Sequence, residues 1–220
     1  YREFFAAFGP TLKEGVSQDH EHRERIAKLL LFRSTATGDD EFVDLETYLG
    51  RMPEGQESIW FISGEREDLL AASPALEALR EKGEEVLLLT DRIDPWLTDA
   101  LHEYDGKALV DVAREALELP GGDGAISQDA MNEEHKPLLK KVRKVLRDRV
   151  ESVNVSRRLV DSPACVVSGD SDLSPQIRRM LEQDDFSAIP GYTPGAAGFL
   201  RGVLGQFVRD VEGESAQRAV

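Results

Sequence analysis

Apolar residues in the middle of the chain fall into short runs that alternate with longer segments of helical spacing. Each run has five or six residues, and each segment between two runs repeats its apolar positions every three or four residues. Such alternation predicts a βαβαβ unit built on a parallel sheet. The predicted strands are residues 58–62, 85–89 and 107–112.

The two helices between these strands carry local start and stop signals. Ser73 caps the first helix, Pro74 takes its first position, and Gly83 follows its end. Asp94 and Pro95 open the second helix. Its predicted sheet-facing residues are Leu97, Ala100, Leu101 and Tyr104.

The flanking sequence predicts a mixed α/β chain of two units. Helices are predicted at residues 1–8, 21–32 and 45–51, which gives a helical segment (1–55) ahead of a small three-layer α/β subdomain (56–119). A polar, glycine-rich stretch at 120–136 is predicted to be a linker. Beyond it, the pattern predicts a smaller α+β unit (137–220), with helices at 137–150 and 174–181 and strands at 152–155 and 164–167.

Composition and charge narrow the classes of protein. The 220 residues carry a formal net charge of -15, which repels phosphate backbones and argues against nucleic-acid binding. No apolar run approaches the roughly 20 residues that span a bilayer, so we expect a cytoplasmic protein without membrane contact. The single cysteine, Cys165, fits a reducing compartment. Because residues 1–8 already read as a helix with no initiator methionine, we expect the chain to begin within a longer protein.

Candidate catalytic chemistry is sparse. His20 and His22 are two residues apart, which is not the i, i+4 spacing of a helical zinc site. The glycines at 121, 122 and 124 lack both a strand directly ahead and a following Gly-Lys-Ser or Gly-Lys-Thr. Acidic residues are too numerous for any pair to be diagnostic. We therefore expect no catalytic, metal or cofactor site in this chain.

Two apolar features are better candidates for binding. At 100° per residue, Trp96 lies about a quarter turn from the Leu97 and Leu101 stripe, with Asp99 on the opposite side. A half-exposed tryptophan is either an interface anchor or packed against a neighbouring subdomain. In the later helix, one stripe is formed by Ile177, Met180 and Leu181, and Leu173 just ahead could extend it; the stripe is either core or an adaptable apolar surface.

Particular strings resemble the ninety-kilodalton heat-shock protein family, and its bacterial branch most. The chain opens with Tyr-Arg-Glu-Phe-Phe, and similar blocks follow in family order to about residue 182. They include Arg25-Ile-Ala-Lys-Leu-Leu30, Ile59-Trp-Phe-Ile-Ser-Gly64, Glu85-Val-Leu-Leu-Leu-Thr90, Asp94-Pro-Trp96, Val155-Ser-Arg-Arg-Leu-Val160 and Ser162-Pro-Ala-Cys165.

The resemblance implies a dimeric, ATP-driven chaperone of the stress response that binds unfolded or partly folded client proteins. Residues 1–119 would be the end of the middle domain and 137–220 the start of the carboxy-terminal domain. ATP and magnesium would belong to the intact protein and not to this fragment, which we expect to have no activity of its own. The resemblance also implies client contacts near Trp96 and Asp99, and on the helix carrying Leu173, Ile177, Met180 and Leu181.

From about residue 184 the sequence departs from the family pattern, in the region where the family's dimer interface would follow. A homodimer through the carboxy-terminal region is therefore an expectation that the sequence leaves open. Two other interpretations also stay open. One is an α/β enzyme that binds a nucleotide at the ends of its parallel strands. The other is a stand-alone protein-interaction module.

Overall fold

The computed structural model describes residues 1–38, 41–114 and 128–169, together with residues 177, 180 and 183. The first helices are α1 (Arg2–Gln18), α2 (Arg23–Ala27) and α3 (Leu45–Arg51). The sheet region contains β1 (Arg33–Ser34), β2 (Ser58–Ser63), β3 (Val86–Leu89), β4 (Glu103–Tyr104) and β5 (Lys107–Asp111). Between its strands lie α4 (Glu67–Ala71), a 3-10 turn (Pro74–Leu76), α5 (Glu77–Glu81) and α6 (Asp94–Ala100). After residue 127 come α7 (Gln128–Glu134), α8 (Lys136–Leu146) and a 3-10 turn (Arg147–Arg149).

The five strands form one mixed sheet in the order β1-β3-β2-β5-β4. Strand β2 pairs in parallel with both β3 and β5, whereas β1 and β4 add antiparallel edges. Because β3 and β5 lie on opposite sides of β2, two right-handed crossovers must run over opposite faces of the sheet. The predicted three-layer βαβαβ unit is therefore confirmed.

Alternate residues of the central strands feed two separate cores. Ile59 and Phe61 of β2 pack on one face with helices α1, α2, α3 and α6, while Trp60 and Ile62 pack on the other with α4, α5 and the turn between them. All four side chains are buried. Helices cover both faces, which is why these strands read as continuous apolar runs and not as an apolar and polar alternation.

Local signals around α5 are confirmed in detail. The Ser73 hydroxyl accepts a hydrogen bond from the backbone N–H of Ala75, and Pro74 takes the first position of the turn. At the other end, the N–H of Gly83 donates to the carbonyl of Arg80, and the N–H of Glu84 donates to that of Leu79. This pair of bonds is a Schellman motif, and Gly83 supplies the positive φ of 71° that the motif requires.

The helix expected at residues 21–32 is shorter than predicted. It ends at Ala27, because Phe32 exchanges two backbone hydrogen bonds with Val43 and the chain continues into the edge strand β1. The helix predicted from Pro137 begins at Lys136 and ends at Leu146. Within the predicted linker, the described residues 128–134 form helix α7.

The strands predicted at 152–155 and 164–167 are wrong, since neither segment pairs in a sheet. Two backbone groups, one within the first segment and one next to the second, have other partners. The N–H of Val155 donates to the side-chain carbonyl of Asn132, at 2.9 Å. The later segment lies against the α/β subdomain, where the N–H of Ser168 donates to the carbonyl of Ala113 and Ser168 forms an isolated bridge with Arg114.

Candidate functional site

The first two predicted site residues, Trp96 and Asp99, lie on helix α6 in the positions that helical geometry predicts. Leu97 and Leu101 are buried against the core on the α1 side of the sheet. One residue before Leu97, Trp96 is half-buried, and Asp99 is exposed. The predicted position of Trp96 at the edge of the packed face is thus observed, while its role in binding stays a prediction.

An open cavity of about 420 Å³ lies beside Trp96, between α6 and the region where α1 ends and α2 begins. It brings Trp96 and Asp99 together with residues far away in the sequence. The wall from α6 and the turn after it also includes Ala100 and His102, and the opposite wall is formed by Ser17, His20 and Arg23.

Arg23 fixes the far wall of this cavity. Its Nε donates to the carbonyl of Val16, 3.1 Å away in the last turn of α1, and its guanidinium also contacts the Nδ1 of His20. The rim therefore presents a guanidinium, two imidazoles and the carboxylate of Asp99 around an indole. Such a mixture of hydrogen-bond donors, an acceptor and apolar surface suits the binding of a polypeptide side chain and its backbone.

A buried ion pair that the apolar pattern did not predict joins α6 to α1. The Nζ of Lys13 on α1 donates to Asp91 Oδ2 and to Asp94 Oδ1, each at 2.7 Å, and Asp94 Oδ2 accepts from the N–H of Asp91. Lys13 also lies over the ring of Phe32, 5.3 Å from its centroid. A signal was present in the sequence: Lys13 occupies the apolar stripe of α1, four residues after the buried Gly9 and eight after the buried Phe5.

Of the four residues in the second group of apolar candidates, the structure describes Ile177 and Met180. Met180 is 4% exposed and Ile177 is partly buried. Leu173 and Leu181 lie outside the described residues. The buried thioether favours a packed position for Met180 over an open apolar surface.

Within the described ranges, no group of three or more His, Cys, Asp or Glu side chains is arranged to hold a metal ion. None of the helices there combines the length and the apolarity needed to cross a bilayer.

Comparison with known proteins decides the family. A family profile described as "Hsp90 protein" matches residues 1–190. The chain belongs to the Hsp90 family. Among its curated Hsp90 relatives, the chaperone protein HtpG of Chromobacterium violaceum is 49% identical over 189 residues, which are 83% of this chain and 30% of that protein. HtpG of Methylibium petroleiphilum is 47% identical over 191 residues, covering 86% of this chain and 30% of that protein.

These identities place the chain with the bacterial HtpG-type members of the Hsp90 family, as the sequence blocks predicted. The chain spans about 30% of the length of these relatives. One matching solved structure is the middle domain of a heat shock protein from Plasmodium falciparum. It shares 38% sequence identity, with a TM-score of 0.48, and the match covers 50% of this chain and 46% of that one.

Proposed function

We propose that this chain is a client-holding part of a bacterial Hsp90-type chaperone, and that the surface around Trp96 contacts partly folded polypeptides. Its relatives are named chaperones, which supports the general role. The observation that carries the assignment to this surface is the half-buried indole of Trp96, which lies in a cavity with a polar rim. In this proposal ATP and magnesium are bound by other parts of the whole protein, which works in the cytoplasm.

The arrangement explains how such a surface would hold a client without recognising one sequence. The indole and Ala100 offer apolar contact to a side chain that has been expelled from a client's core. Arg23 and the two imidazoles can donate to client carbonyls, and Asp99 can accept from client N–H groups. Because Lys13 anchors α6 through Asp94, the surface is formed before the client arrives, and less ordering free energy is lost on binding.

The second candidate surface has weaker support. A client role for Ile177 and Met180, with Leu173 and Leu181, requires that the thioether of Met180 become accessible, yet it is 4% exposed. We therefore place the first client contact at Trp96. We also propose that the whole protein is a homodimer through its carboxy-terminal region, which light scattering across a concentration series would test.

The decisive experiment compares alanine substitutions of two large apolar side chains. The affinity of the chain for a fluorescently labelled, permanently unfolded protein is measured by anisotropy for the wild type, Trp96→Ala and Leu69→Ala. Leu69 is 60% exposed on α4, on the opposite face of the sheet, so it controls for a general loss of exposed apolar surface. We expect Trp96→Ala to weaken binding about tenfold or more, as for an interface anchor, and Leu69→Ala to change it little. Asp99→Asn should cause a smaller loss, because exposed charges contribute modestly.

Equal losses in the two alanine variants, or none in Trp96→Ala, would contradict the assignment. Circular dichroism of each variant separates lost binding from lost folding. The nucleotide-binding alternative has its own test, since a ligand present at 100 times its dissociation constant raises the free energy of unfolding by about 2.7 kcal/mol. We expect ATP with magnesium to leave the melting temperature of this chain unchanged. A stand-alone interaction module is favoured if the chain retains a stable partner but does not bind the unfolded probe.

A further inference from the structure

The Glu77 carboxylate on α5 accepts hydrogen bonds from the backbone of a segment more than 80 residues away in the sequence. Glu77 Oε2 accepts hydrogen bonds from the N–H groups of Val160, Asp161 and Ser162, at 2.7, 3.0 and 3.1 Å. Glu77 Oε1 accepts a further bond from the Ser162 hydroxyl. Three consecutive amides turned toward one carboxylate form a specific anion cradle.

Contacts on both sides of this cradle extend the attachment. We call residues 158–168 the strap. At its start, the carbonyl of Arg158 accepts from the N–H of Ala78, and the buried guanidinium of Arg158 donates to the carbonyl of Val112. At its end, the N–H of Ser168 donates to the carbonyl of Ala113. The strap therefore connects the chain beyond residue 127 to both α5 and the end of β5.

The strap is held by polar contacts more than by buried apolar surface. Its valines at 160 and 166 are 50% and 89% exposed. Helix α5 and the turn before it are held independently, because Leu76 and Leu79 are fully buried in the core on that side of the sheet. Opening the strap would thus leave the sheet and its helices packed.

We propose that residues 158–168 are a releasable strap and that Glu77 is its latch, so that the α/β subdomain can separate from the following unit without unfolding. The latch works through charge and geometry together. An ionised Glu77 satisfies three amides and a hydroxyl at once. A neutral glutamine amide would keep one acceptor oxygen for the three N–H groups, but it would lose the negative charge that strengthens those bonds, and its NH2 group would take the place of the acceptor for the Ser162 hydroxyl. The bonding also lowers the pKa of Glu77 to about 2, with the Ser162 hydroxyl contributing most, so the latch is charged at neutral pH.

The only cysteine of the chain makes the strap easy to follow. Cys165 is partly buried, and its thiol should react faster when the strap opens. Labelling with a chromogenic disulfide is followed in the 220-residue chain for the wild type, Glu77→Gln and Ser162→Ala. Glu81→Gln is the matched control, since Glu81 lies on the same helix and is exposed. Glu77→Gln should raise the labelling rate about threefold or more, because the three amide bonds lose the charge that strengthens them and the Ser162 hydroxyl loses its acceptor, and Glu81→Gln should not.

Charge effects on the thiol are separated from opening in two ways. Burial raises the pKa of Cys165, Arg158 opposes that shift and Glu77 adds to it, so Glu77→Gln alone would also alter the thiolate fraction. Labelling is therefore measured across pH, and the limiting rates at high pH are compared. Ser162→Ala keeps the charge of Glu77 and should still accelerate labelling, by a smaller factor.

Hydrogen exchange identifies where the chain opens. In Glu77→Gln, the amides of residues 160–162 and 168 should lose protection, while those of β2 and β3 keep theirs. Wild-type labelling rates in both variants would overturn the latch. Loss of protection throughout the sheet would overturn the releasable strap, because Glu77 would then stabilise the whole fold.

Discussion

The ammonium group of Lys13 lies 2.7 Å from the carboxylate of Asp94, and the two residues are 4% and 0% exposed. Burial alone would lower the pKa of Lys13, but Asp94 and Asp91 outweigh it and hold this pKa above its ordinary value. Burial raises the pKa of Asp94, and Lys13 opposes that shift. The pair joins α1 to the first turn of α6, so the helix that carries Trp96 is fixed by a charge interaction as well as by packing.

Replacing Lys13 by methionine should destabilise the chain strongly. The substitution keeps the length of the side chain but leaves the Asp94 carboxylate buried without its cation. Removing one partner of a buried ion pair costs about 3–5 kcal/mol. The measurement is the free energy of unfolding from urea denaturation.

The double variant Lys13→Met with Asp94→Asn provides the control for that experiment. Asparagine keeps an oxygen that can accept the N–H of Asp91, yet it carries no charge, so part of the lost stability should return. A loss below about 1 kcal/mol in the single variant would mean that the pair contributes little and that α6 is held by Leu97 and Leu101 instead.

Removing the hydroxyl oxygen of Tyr48 should lower the stability of the fold. Its hydroxyl donates to the carbonyl of Glu85 and accepts from the N–H of Trp60 and the Nε2 of Gln56, at 2.7, 3.0 and 3.1 Å. Burial is the main reason that its pKa rises to about 12. Tyr48→Phe removes this partner from the Glu85 carbonyl and the Trp60 N–H, whereas Gln56 Nε2 keeps its bond to the Ser58 carbonyl. Each unpaired buried group costs about 1–3 kcal/mol. We expect a total loss of about 2–4 kcal/mol in urea denaturation.

Tyr104→Phe is the matched control for Tyr48. Tyr104 is partly buried, and within the described residues its hydroxyl has no protein partner, so its replacement should change stability by less than about 0.5 kcal/mol. Similar losses of stability in the two variants would indicate that the hydrogen bonds of Tyr48 do not stabilise the fold measurably.

The attachment of the strap should weaken in acid. The folded-state pKa of Glu77 is about 2, below its ordinary value of 4.5, so its ionised form is favoured by the docked strap. The stabilisation is therefore complete above pH 4.5 and is lost progressively as the pH falls toward 2. Amide chemical shifts of residues 160–162, followed by NMR from pH 6 to pH 2, should move in that window.

Glu77→Gln should remove this transition from the same three amides. The Asp161 carboxyl lies beside them, so the series is repeated in an Asp161→Asn background to isolate the contribution of Glu77. A transition that persists in Glu77→Gln would assign the acid sensitivity to another carboxylate.

The sequence predicts the central part of the fold better than its edges. Strands β2 and β3 are continuous apolar runs because helices cover both of their faces, and that pattern is visible without coordinates. Strands β1 and β4 contain two residues each, which is too short for any period to show. Their pairing depends on neighbours supplied by the folded sheet.

The candidate site shows the same division. The partial exposure of Trp96 follows from its angle to Leu97 on one helix, so helical geometry alone predicts it. Helical geometry does not predict the opposite wall of the cavity, because Arg23 is 73 residues from Trp96 in the sequence and is fixed by a carbonyl of α1. The link from Glu77 to Ser162 spans 85 residues and has no local signature in the sequence.

The exposure of Trp96 can be tested without any client protein. The chain has two tryptophans, and the other, Trp60, is 2% exposed, with its indole N–H donating to Glu84 Oε2 at 2.5 Å. Acrylamide should therefore quench Trp96 readily and Trp60 poorly. In Trp96→Phe, which leaves Trp60 as the emitter, the emission maximum should shift to shorter wavelength and the Stern–Volmer constant should fall well below that of the wild type.

The same variant distinguishes an open surface from a covered one. Phenylalanine retains most of the apolar contact of Trp96, so unchanged denaturation curves would show that the fold is intact while the optical signal changes. If quenching is as strong in Trp96→Phe as in the wild type, the accessible emitter is not Trp96 and the indole is packed away from solvent. The cavity between α1 and α6 would then lose its apolar anchor, and the client surface would have to lie elsewhere on the chain.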